Sequence, residues 1–349
     1  MTAFLARQRW WLGRVAVLPV HLLGFALAVF FLVRLIPGDP VLTLLGGQNA
    51  TPETIEAARE SLGLSGSMLD QLGAYFANVL TLDFGRSMIT GQPVWETMTT
   101  RLFETLELAV VAMFGTTVLT LAVGFLVVMK PRNPVSRVLL AYTRSAGAVP
   151  DFVLGVAGIF LFYRLLGVAP APLGRYDPTL LPPPDLTGFP ILDAMLSGDT
   201  ALLQSMASHL FMPLMVLVLA YTPLLLKLLV RALDDAVDAA PTRFRIASGG
   251  SRRAVLLSVA RRAAPPAVAM LGTLFGYLLG GAVVVEQLFS MPGMGQFGVN
   301  AVNTSDLVSL QGFLLLVAAL SLVVFLLVDI VTMLLDPRRR PGRGGEGAA

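Results

Sequence analysis

The sequence contains no cysteine, only two histidines (His21 and His209), and only 13% charged residues. Without cysteine the chain can form neither a disulfide, nor a thiolate metal site, nor a cysteine nucleophile. No catalytic triad, paired-carboxylate arrangement, metal box or phosphate-binding glycine loop can be recognised in it. Soluble domains are on average about 25% charged. The scarcity of charge therefore excludes an ordinary soluble protein.

Hydrophobic residues make up 55% of the 349 residues, and the mean hydropathy is +0.76. A helix needs about 20 predominantly apolar residues to cross the hydrocarbon core of a membrane. Six stretches meet this requirement, namely 15–36, 104–129, 149–168, 209–230, 267–288 and 310–335. The sequence therefore predicts an all-α integral membrane protein with six transmembrane helices.

Basic residues are distributed unevenly between the two sides of these spans. Nineteen of the 25 fall in the N-terminal tail 1–14, in 130–148, in 227–266 and in the basic tail 336–349, and only six fall elsewhere. Arginine and lysine concentrate on the cytoplasmic side of membrane proteins. Both termini are therefore predicted to be cytoplasmic. The net charge of +3 reflects this bias, so no nucleic-acid partner is expected.

Two segments on the opposite face are longer than plain connections. Segment 37–101 contains its own helix signals, including a start at Thr51-Pro52 and another near Val94-Trp95, and is predicted to be an external helical segment. Segment 169–208 contains seven prolines, which favour an extended chain until an amphipathic stretch begins at Ile191. The remainder, 102–335, is predicted to be a core that carries the second to sixth spans.

The polar segment between the fourth and fifth spans carries seven arginines. Asp238 can cap a short helix, Pro241 suits its first turn, and Gly249 can end it. Phe244 and Ala247 then share one face. A short helix that presents an aromatic side chain and arginines suits a groove on a soluble partner. The alternative is a solvated basic loop of the kind common in membrane proteins.

A second helix is predicted to follow within the same segment. Ser251 is a suitable cap, and Val255, Val259 and Ala263 repeat at intervals of four. The segment 238–266 is predicted to close at Pro265-Pro266, before the fifth span begins.

Charged residues at membrane depth are functional candidates, because burying a charge there is costly. Glu286 lies at the outer end of the fifth span, before an apolar turn that contains Phe289 and Pro292, and Asp151 lies near the cytoplasmic start of the third span. Glu286 could contact the amino end of a peptide or pair with an arginine such as Arg86 or Arg101. We favour pairing. Asp151 could equally cap its helix, and the helix dipole accounts for Glu104 and Glu107 near a predicted helix start.

Five stretches, in this order, resemble the first permease subunit of ABC importers of the dipeptide, oligopeptide and nickel type. They are Arg34-Leu-Ile-Pro-Gly-Asp-Pro40, Asp83-Phe-Gly-Arg-Ser87, Thr105-Leu-Glu-Leu108, Val284-Val-Glu-Gln-Leu-Phe-Ser-Met-Pro-Gly-Met-Gly295 and Val328-Asp-Ile-Val-Thr-Met-Leu-Leu-Asp-Pro337. The family's docking motif falls on Asp238–Pro266, where Ala247, Gly249, Val255 and Arg262 fit, while the other positions of the central run Phe244-Arg-Ile-Ala-Ser-Gly249 depart from it.

The resemblance implies the type I ABC importer permease (MetI-like) fold in the bacterial plasma (inner) membrane. It implies a second permease subunit, two cytoplasmic ATPase subunits that hold the ATP and magnesium, and an external substrate-binding protein, with no cofactor and no metal on this chain. ATPase docking is implied for Asp238, Ala239, Ala240, Arg243, Phe244, Arg245, Ala247 and Gly249. The translocation path or outer gate is implied for Glu286, Phe289, Pro292 and Asp151.

The expected cargo is a dipeptide or an oligopeptide, with nickel, glutathione or an oligosaccharide as alternatives. A proton-coupled secondary transporter is the alternative from another class, but it needs titratable residues deep within its spans, and the charges here lie near span ends. A membrane-embedded enzyme needs convergent catalytic groups, and the sequence shows none. The chain is therefore expected not to be an enzyme, since ATP hydrolysis would belong to the partner ATPases.

Overall fold

The computed structural model describes residues 2–35, 41–42, 45, 51–61, 65–129, 133–144 and 149–335. Across these ranges the regular structure is helical, apart from one isolated antiparallel bridge between Arg86 and Pro93. The helices are α1 (Thr2–Arg34), α2 (Pro52–Ser61), α3 (Met68–Leu80), α4 (Val94–Met129), α5 (Pro134–Arg144), α6 (Asp151–Gly158), α7 (Pro190–Ser197), α8 (Thr200–Asp238), α9 (Ala240–Ala247), α10 (Arg252–Leu288), α11 (Met294–Asn303) and α12 (Leu307–Leu335). A π-helix, Ile159–Leu165, continues α6.

Five of these helices are long and apolar enough to cross a membrane, within α1, α4, α8, α10 and α12. This confirms the all-α, multi-span prediction. The predicted third span, 149–168, forms the eight residues of α6 followed by the seven-residue π-helix. That helical stretch is shorter than the other five, so the count of six spans stays a prediction. A π-helix is rare, and such segments are frequently found at functional sites.

Two long helices run through their prolines without ending. α8 contains Pro213 and Pro223, and α10 contains Pro265 and Pro266. The prediction that Pro265-Pro266 close a separate segment is therefore wrong, because α10 is continuous from Arg252 to Leu288. Membrane helices tolerate proline where neighbouring groups satisfy the freed carbonyls. As a result, residues 252–266 of the predicted docking segment belong to the same helix as the fifth span.

Contacts divide the chain into two units, of which the first is built mainly from Thr105–Met291. Its core is formed by apolar side chains of α4, α8 and α10, including Leu108, Leu217 and Leu278. α6 packs against both α8 and α10. A Cβ added at Gly281 on α10 would lie only 2.5 Å from the hydroxyl of Tyr221 on α8. The absence of a side chain at this position is therefore what lets the Tyr221 hydroxyl approach α10.

The second unit comprises Gly13–Glu104 and Pro292–Leu322. Val94, Met98 and Met294 form one of its apolar clusters. Asp306 is buried ahead of α12, where its carboxylate accepts hydrogen bonds from the Ser87 hydroxyl at 2.5 Å and from the Ser309 hydroxyl at 2.8 Å. The resembling stretch 83–87 is thereby attached to the start of α12.

The predicted external helices are present, with one change in extent. α2 begins at Pro52 as predicted, and α3 has a capping box formed by Ser67 and Asp70. α4 begins at Val94 and continues through residue 102, so the chain is helical where the external segment was predicted to meet the core. Residues 36–40 of the first resembling stretch, and the basic tail 336–349, lie outside the described residues.

Candidate functional site

The predicted docking helix is α9, which comprises the eight residues Ala240–Ala247 and has proline in its first turn. One residue, Ala239, separates it from the end of α8 at Asp238. The predicted cap is wrong, because Ala239 occupies the N-cap position and no side chain caps the helix. Asp238 instead accepts a hydrogen bond from the Arg243 guanidinium at 3.0 Å, and both side chains are about 70% exposed (71% and 68%). Such an exposed pair contributes at most about 1 kcal/mol.

The exposed face of α9 is apolar as well as basic. The Phe244 side chain is 74% exposed and Ile246 is 53% exposed. The predicted partner of Phe244, Ala247, is exposed too. An exposed aromatic residue on a rigid element is typical of an interface anchor. Ile246 is two positions from Phe244 and therefore lies on a different face of the helix, the one that also carries Thr242.

Short-range bonds hold α9 against its neighbours. Gly249 has φ +72°, a left-handed conformation that ends the helix. An Arg245 nitrogen donates to the carbonyl of Ala254 in α10 at 3.3 Å, and Thr242 is fully buried. The prediction that Ser251 caps the next helix is confirmed, since its hydroxyl accepts from the Ala254 amide at 3.3 Å. α9 is therefore braced on α10 and is not a loose loop.

Asp151 lies where α6, α8 and α10 approach one another within the first unit. The Tyr221 hydroxyl donates to the Asp151 carboxylate at 2.5 Å. A Cβ at Gly281 would lie 3.0 Å from the same carboxylate. The Tyr221 ring stacks on Tyr277, with 6.4 Å between ring centroids. The structure thus connects Asp151, predicted to lie on the translocation path, with Tyr221 and through its ring with Tyr277. No sequence pattern pointed to either tyrosine.

Glu286 is completely buried in the first unit. The hydroxyl of Thr105 in α4 donates to its carboxylate at 2.6 Å. The two arginines proposed as partners have other contacts: Arg101 pairs with Glu104 at 3.8 Å, and Arg86 donates to the Gly91 carbonyl at 3.0 Å. The burial of Glu286 together with its bond to Thr105 favours a structural role for this carboxylate.

The turn after Glu286 is also buried. Phe289 is 1% exposed, and its carbonyl accepts a hydrogen bond from the Gly174 amide at 2.9 Å. Ser290 has φ +50°, a strained value outside glycine. Pro292, the other predicted gate residue, is partly buried at the start of a second-unit segment.

A buried ion pair attaches the proline-rich segment to α4. An Arg175 guanidinium nitrogen lies 3.1 Å from a Glu107 carboxylate oxygen, and these side chains are only 2% and 7% exposed. The other Glu107 oxygen accepts from the Ile191 amide at 2.8 Å. The dipole explanation for Glu107 is wrong, since α4 begins at Val94, more than three turns earlier. No sequence pattern connects positions 107 and 175, so the pair could not be predicted.

The proline-rich segment also contains a buried, hydrogen-bonded carboxylate of its own, Asp193. Asp193 is buried at the start of α7 and accepts from the Thr187 hydroxyl at 2.6 Å and the Thr187 amide at 2.8 Å. Desolvation acts to raise the pKa of Asp193, but its hydrogen bonds outweigh this and lower the pKa below its ordinary value. Glu107 and Asp193 together give the segment around α7 a defined conformation despite its prolines.

The described residues contain no group of three or more histidine, cysteine, aspartate and glutamate side chains that could hold a metal ion. The carboxylates described above are engaged by tyrosine, threonine, arginine or backbone donors. This arrangement can position helices and bind polar groups.

Comparison with known proteins identifies the family to which this chain belongs. Residues 118–341 match the family described as "Binding-protein-dependent transport system inner membrane component". Residues 1–109 match the family described as "Binding-prot-dependent transport system membrane comp, N-term". The chain belongs to the family of inner-membrane components of binding-protein-dependent transport systems.

Several relatives align over nearly their whole length. The chain is 32% identical to the probable D,D-dipeptide transport system permease protein DdpB of Escherichia coli (strain K12), over 97% of each chain. It is 31% identical to the di/tripeptide transport system permease protein DppB of Pseudomonas aeruginosa (strain UCBPP-PA14), over 98% of this chain and 100% of the relative. It is 30% identical to the dipeptide transport system permease protein DppB of Escherichia coli (strain K12), over 94% and 98%.

Family membership and the apolar helices establish a multi-pass protein of the bacterial inner membrane with the type I ABC permease fold. The chain is a permease component of an ABC importer and is not the catalytic subunit, because ATP is hydrolysed by separate ATPase subunits. Such a system also includes a binding protein and a partner permease.

Proposed function

We propose that this chain is one of two different permease subunits of an importer that moves dipeptides or oligopeptides into the cell. Two ATPase subunits would bind from the cytoplasm, and an external solute-binding protein would deliver the peptide. ATP-driven closure of the ATPases would move α9, and α8 and α10 would transmit that motion as rigid rods between inward-open and outward-open states. The translocation path would lie along the third to fifth spans.

The observation that supports this proposal most directly is the exposed apolar face of α9. An eight-residue helix with Phe244 74% exposed is placed between two helices of 39 and 37 residues. A force on this short helix reaches both long helices, because Ala239 joins it to α8 and Arg245 braces it on α10. The remaining assigned positions (Asp238, Ala240, Arg243, Ala247 and Gly249) lie in or next to the same helix.

Peptides are proposed as cargo because the relatives named above are peptide or dipeptide permeases. The importer should be reconstituted in proteoliposomes with its partner permease, ATPases and binding protein. We expect ATP-dependent accumulation of a labelled dipeptide that excess unlabelled dipeptide abolishes. Competition by nickel, glutathione or an oligosaccharide in place of dipeptide would assign one of those alternatives. Uptake driven by a proton gradient without ATP would identify a secondary transporter.

The proposed topology leads to a labelling prediction. The split of 19 basic residues against six predicts that segments 37–101 and 169–208 are outside and that 231–266 is in the cytoplasm. Because the chain has no cysteine, a single cysteine can be introduced without background. Ser65→Cys should react with an impermeant maleimide in intact cells, whereas Arg253→Cys should react only after the membrane is opened. Labelling of the Ser65 variant from the cytoplasmic side alone contradicts the topology.

A structural role for Glu286 predicts the phenotype of Glu286→Gln. The amide keeps the shape but changes the buried hydrogen bond with Thr105, so uptake should fall by a similar factor for every peptide tested. Thr105→Val removes the same bond from the other side and should give a defect of the same kind. A loss that depends on which peptide is offered would instead support contact between Glu286 and substrate, and full transport of all peptides would exclude both roles.

A further inference from the structure

A cavity of about 440 Å³ lies between α8 and α10 in the first unit. Arg231 and Asp235 of α8 line it on one side, and Arg261 and Arg262 of α10 line it on the other. We call it the arginine cavity. Arg231 therefore lines the same space as two adjacent arginines that lie about 30 positions later in the sequence.

The three arginines of the cavity have no ion pair or hydrogen bond to a side chain anywhere in the described part of the chain. Asp235 offers the cavity one negative charge, yet it lies in no described ion pair with them either. Three positive charges facing one space repel one another unless an anion or water screens them. The cavity therefore has a net positive charge and is suited to an anionic ligand.

The position of the cavity along the helices matches the membrane boundary. Arg231 directly follows the predicted fourth span, 209–230, and Arg262 lies five residues before the predicted fifth span, 267–288. The wall that continues into these spans is apolar and includes Met270 and Leu228. A ligand with a charged head and an apolar tail fits such a wall, because the head meets the arginines and the tail follows the apolar side chains.

The α10 wall adds hydrogen-bond acceptors. Pro265 and Pro266 lack a backbone N–H, so the carbonyls of Arg261 and Arg262 are without their usual donor four residues later in the helix. All four residues line the cavity. A hydroxyl on the ligand head could donate to these carbonyls, while its phosphate binds the guanidinium groups.

We propose that the arginine cavity binds the headgroup of an anionic phospholipid, with the phosphodiester between Arg231 and the Arg261-Arg262 pair. Basic pockets between membrane helices on the cytoplasmic side are suited to anionic headgroups. A hydroxyl-bearing head such as that of phosphatidylglycerol satisfies both the guanidinium groups and the carbonyls. This inference does not depend on the cargo of the importer; it needs only the family fold and the described helices.

The test uses the assembled importer in detergent and measures bound lipid by native mass spectrometry. We expect phosphatidylglycerol to bind at least tenfold more tightly than phosphatidylcholine, and the preference to disappear in an Arg231→Gln/Arg261→Gln/Arg262→Gln variant. Arg253→Gln removes another exposed arginine of α10 that does not line the cavity, so it should keep the preference. Arg231→Lys keeps the charge and should lose less affinity than Arg231→Gln.

Three outcomes would overturn the proposal. The first is an equal preference in wild type and triple variant, and the second is no preference in wild type. The third is displacement of phosphatidylglycerol by millimolar inorganic phosphate, which would identify a soluble anion as the ligand. If wild type shows no preference, binding to the isolated permease would show that the ATPase covers the cavity in the assembled importer. Peptide uptake is measured separately, so failure of this inference leaves the proposed transport function intact.

Discussion

Phe244→Ala is expected to abolish most ATP-driven uptake while the permease still inserts and folds. The side chain is 74% exposed, so its loss leaves no cavity in this subunit. If it is an interface anchor, its truncation costs about 2 kcal/mol or more of ATPase binding, equivalent to roughly thirtyfold weaker association. Copurification of the ATPases with the variant, together with uptake and ATPase rates in proteoliposomes, measures this directly.

Matched variants separate docking from folding. Phe114→Ala truncates another phenylalanine, 71% exposed on α4, and should leave ATPase association unchanged. Ile246→Ala should weaken association less than Phe244→Ala, because a smaller apolar area is removed. Normal uptake and ATPase association in Phe244→Ala would show that α9 is not the docking element. A reduced expression level as the single change would assign Phe244 to packing.

Substitutions of Gly249, the residue at which α9 ends, test the role of the same helix. At φ +72° any side chain is strained, by roughly 1–2 kcal/mol, so Gly249→Ala should weaken coupling moderately. Gly249→Asp adds a negative charge beside the basic docking segment and should uncouple ATP hydrolysis from uptake more severely.

Arg175→Met is expected to destabilise the first unit strongly. It leaves Glu107 buried without its guanidinium partner, and breaking a buried ion pair in this way costs about 3–5 kcal/mol. Glu107→Gln should destabilise by a comparable amount. The double variant should recover part of the loss, because no charge is then buried alone. The measurement is the unfolding midpoint of the detergent-solubilised permease.

The Asp238–Arg243 pair provides the control for that experiment. Its N–O distance of 3.0 Å is almost the same as the 3.1 Å of Arg175–Glu107, but its side chains are about 70% exposed (71% and 68%). Arg243→Met should therefore change stability by less than about 1 kcal/mol. Equal effects of Arg175→Met and Arg243→Met would show that burial does not determine the strength of the Glu107 pair.

The continuity of α8 and α10 bears on how docking and transport are connected. α8 carries Tyr221, which donates to Asp151, and ends one residue before α9. α10 begins at Arg252, directly after its cap Ser251, and carries both Gly281, beside Asp151, and Glu286. A displacement of α9 would therefore have two continuous helical routes to these carboxylates within one unit. We expect variants of α9 to change the surroundings of Asp151 and Glu286. The measurement is the labelling rate of a cysteine introduced near either residue.

Structural features that are determined by residues close together in the sequence, such as apolar helices and helix caps, could be predicted from the sequence. Long apolar runs predicted the spans within α1, α4, α8, α10 and α12, because burial in a membrane requires a continuous apolar stretch. The short helix α9 and the cap Ser251 were predicted from local capping chemistry. The assignment of Asp238 as a cap was wrong, since α8 continues about two turns beyond the predicted span 209–230 and ends at that residue.

Other features were decided by tertiary structure. The sequence marked Asp151, Glu286 and Glu107 as charges near membrane depth, but it did not connect them with Tyr221, Thr105 and Arg175. The arginine cavity likewise joins Arg231 with residues some 30 positions later. These partners are distant in sequence, so no periodicity links them. They meet because α4, α6, α8 and α10 pack side by side. This packing determines which polar group lies close enough to each buried charge to compensate the cost of its desolvation.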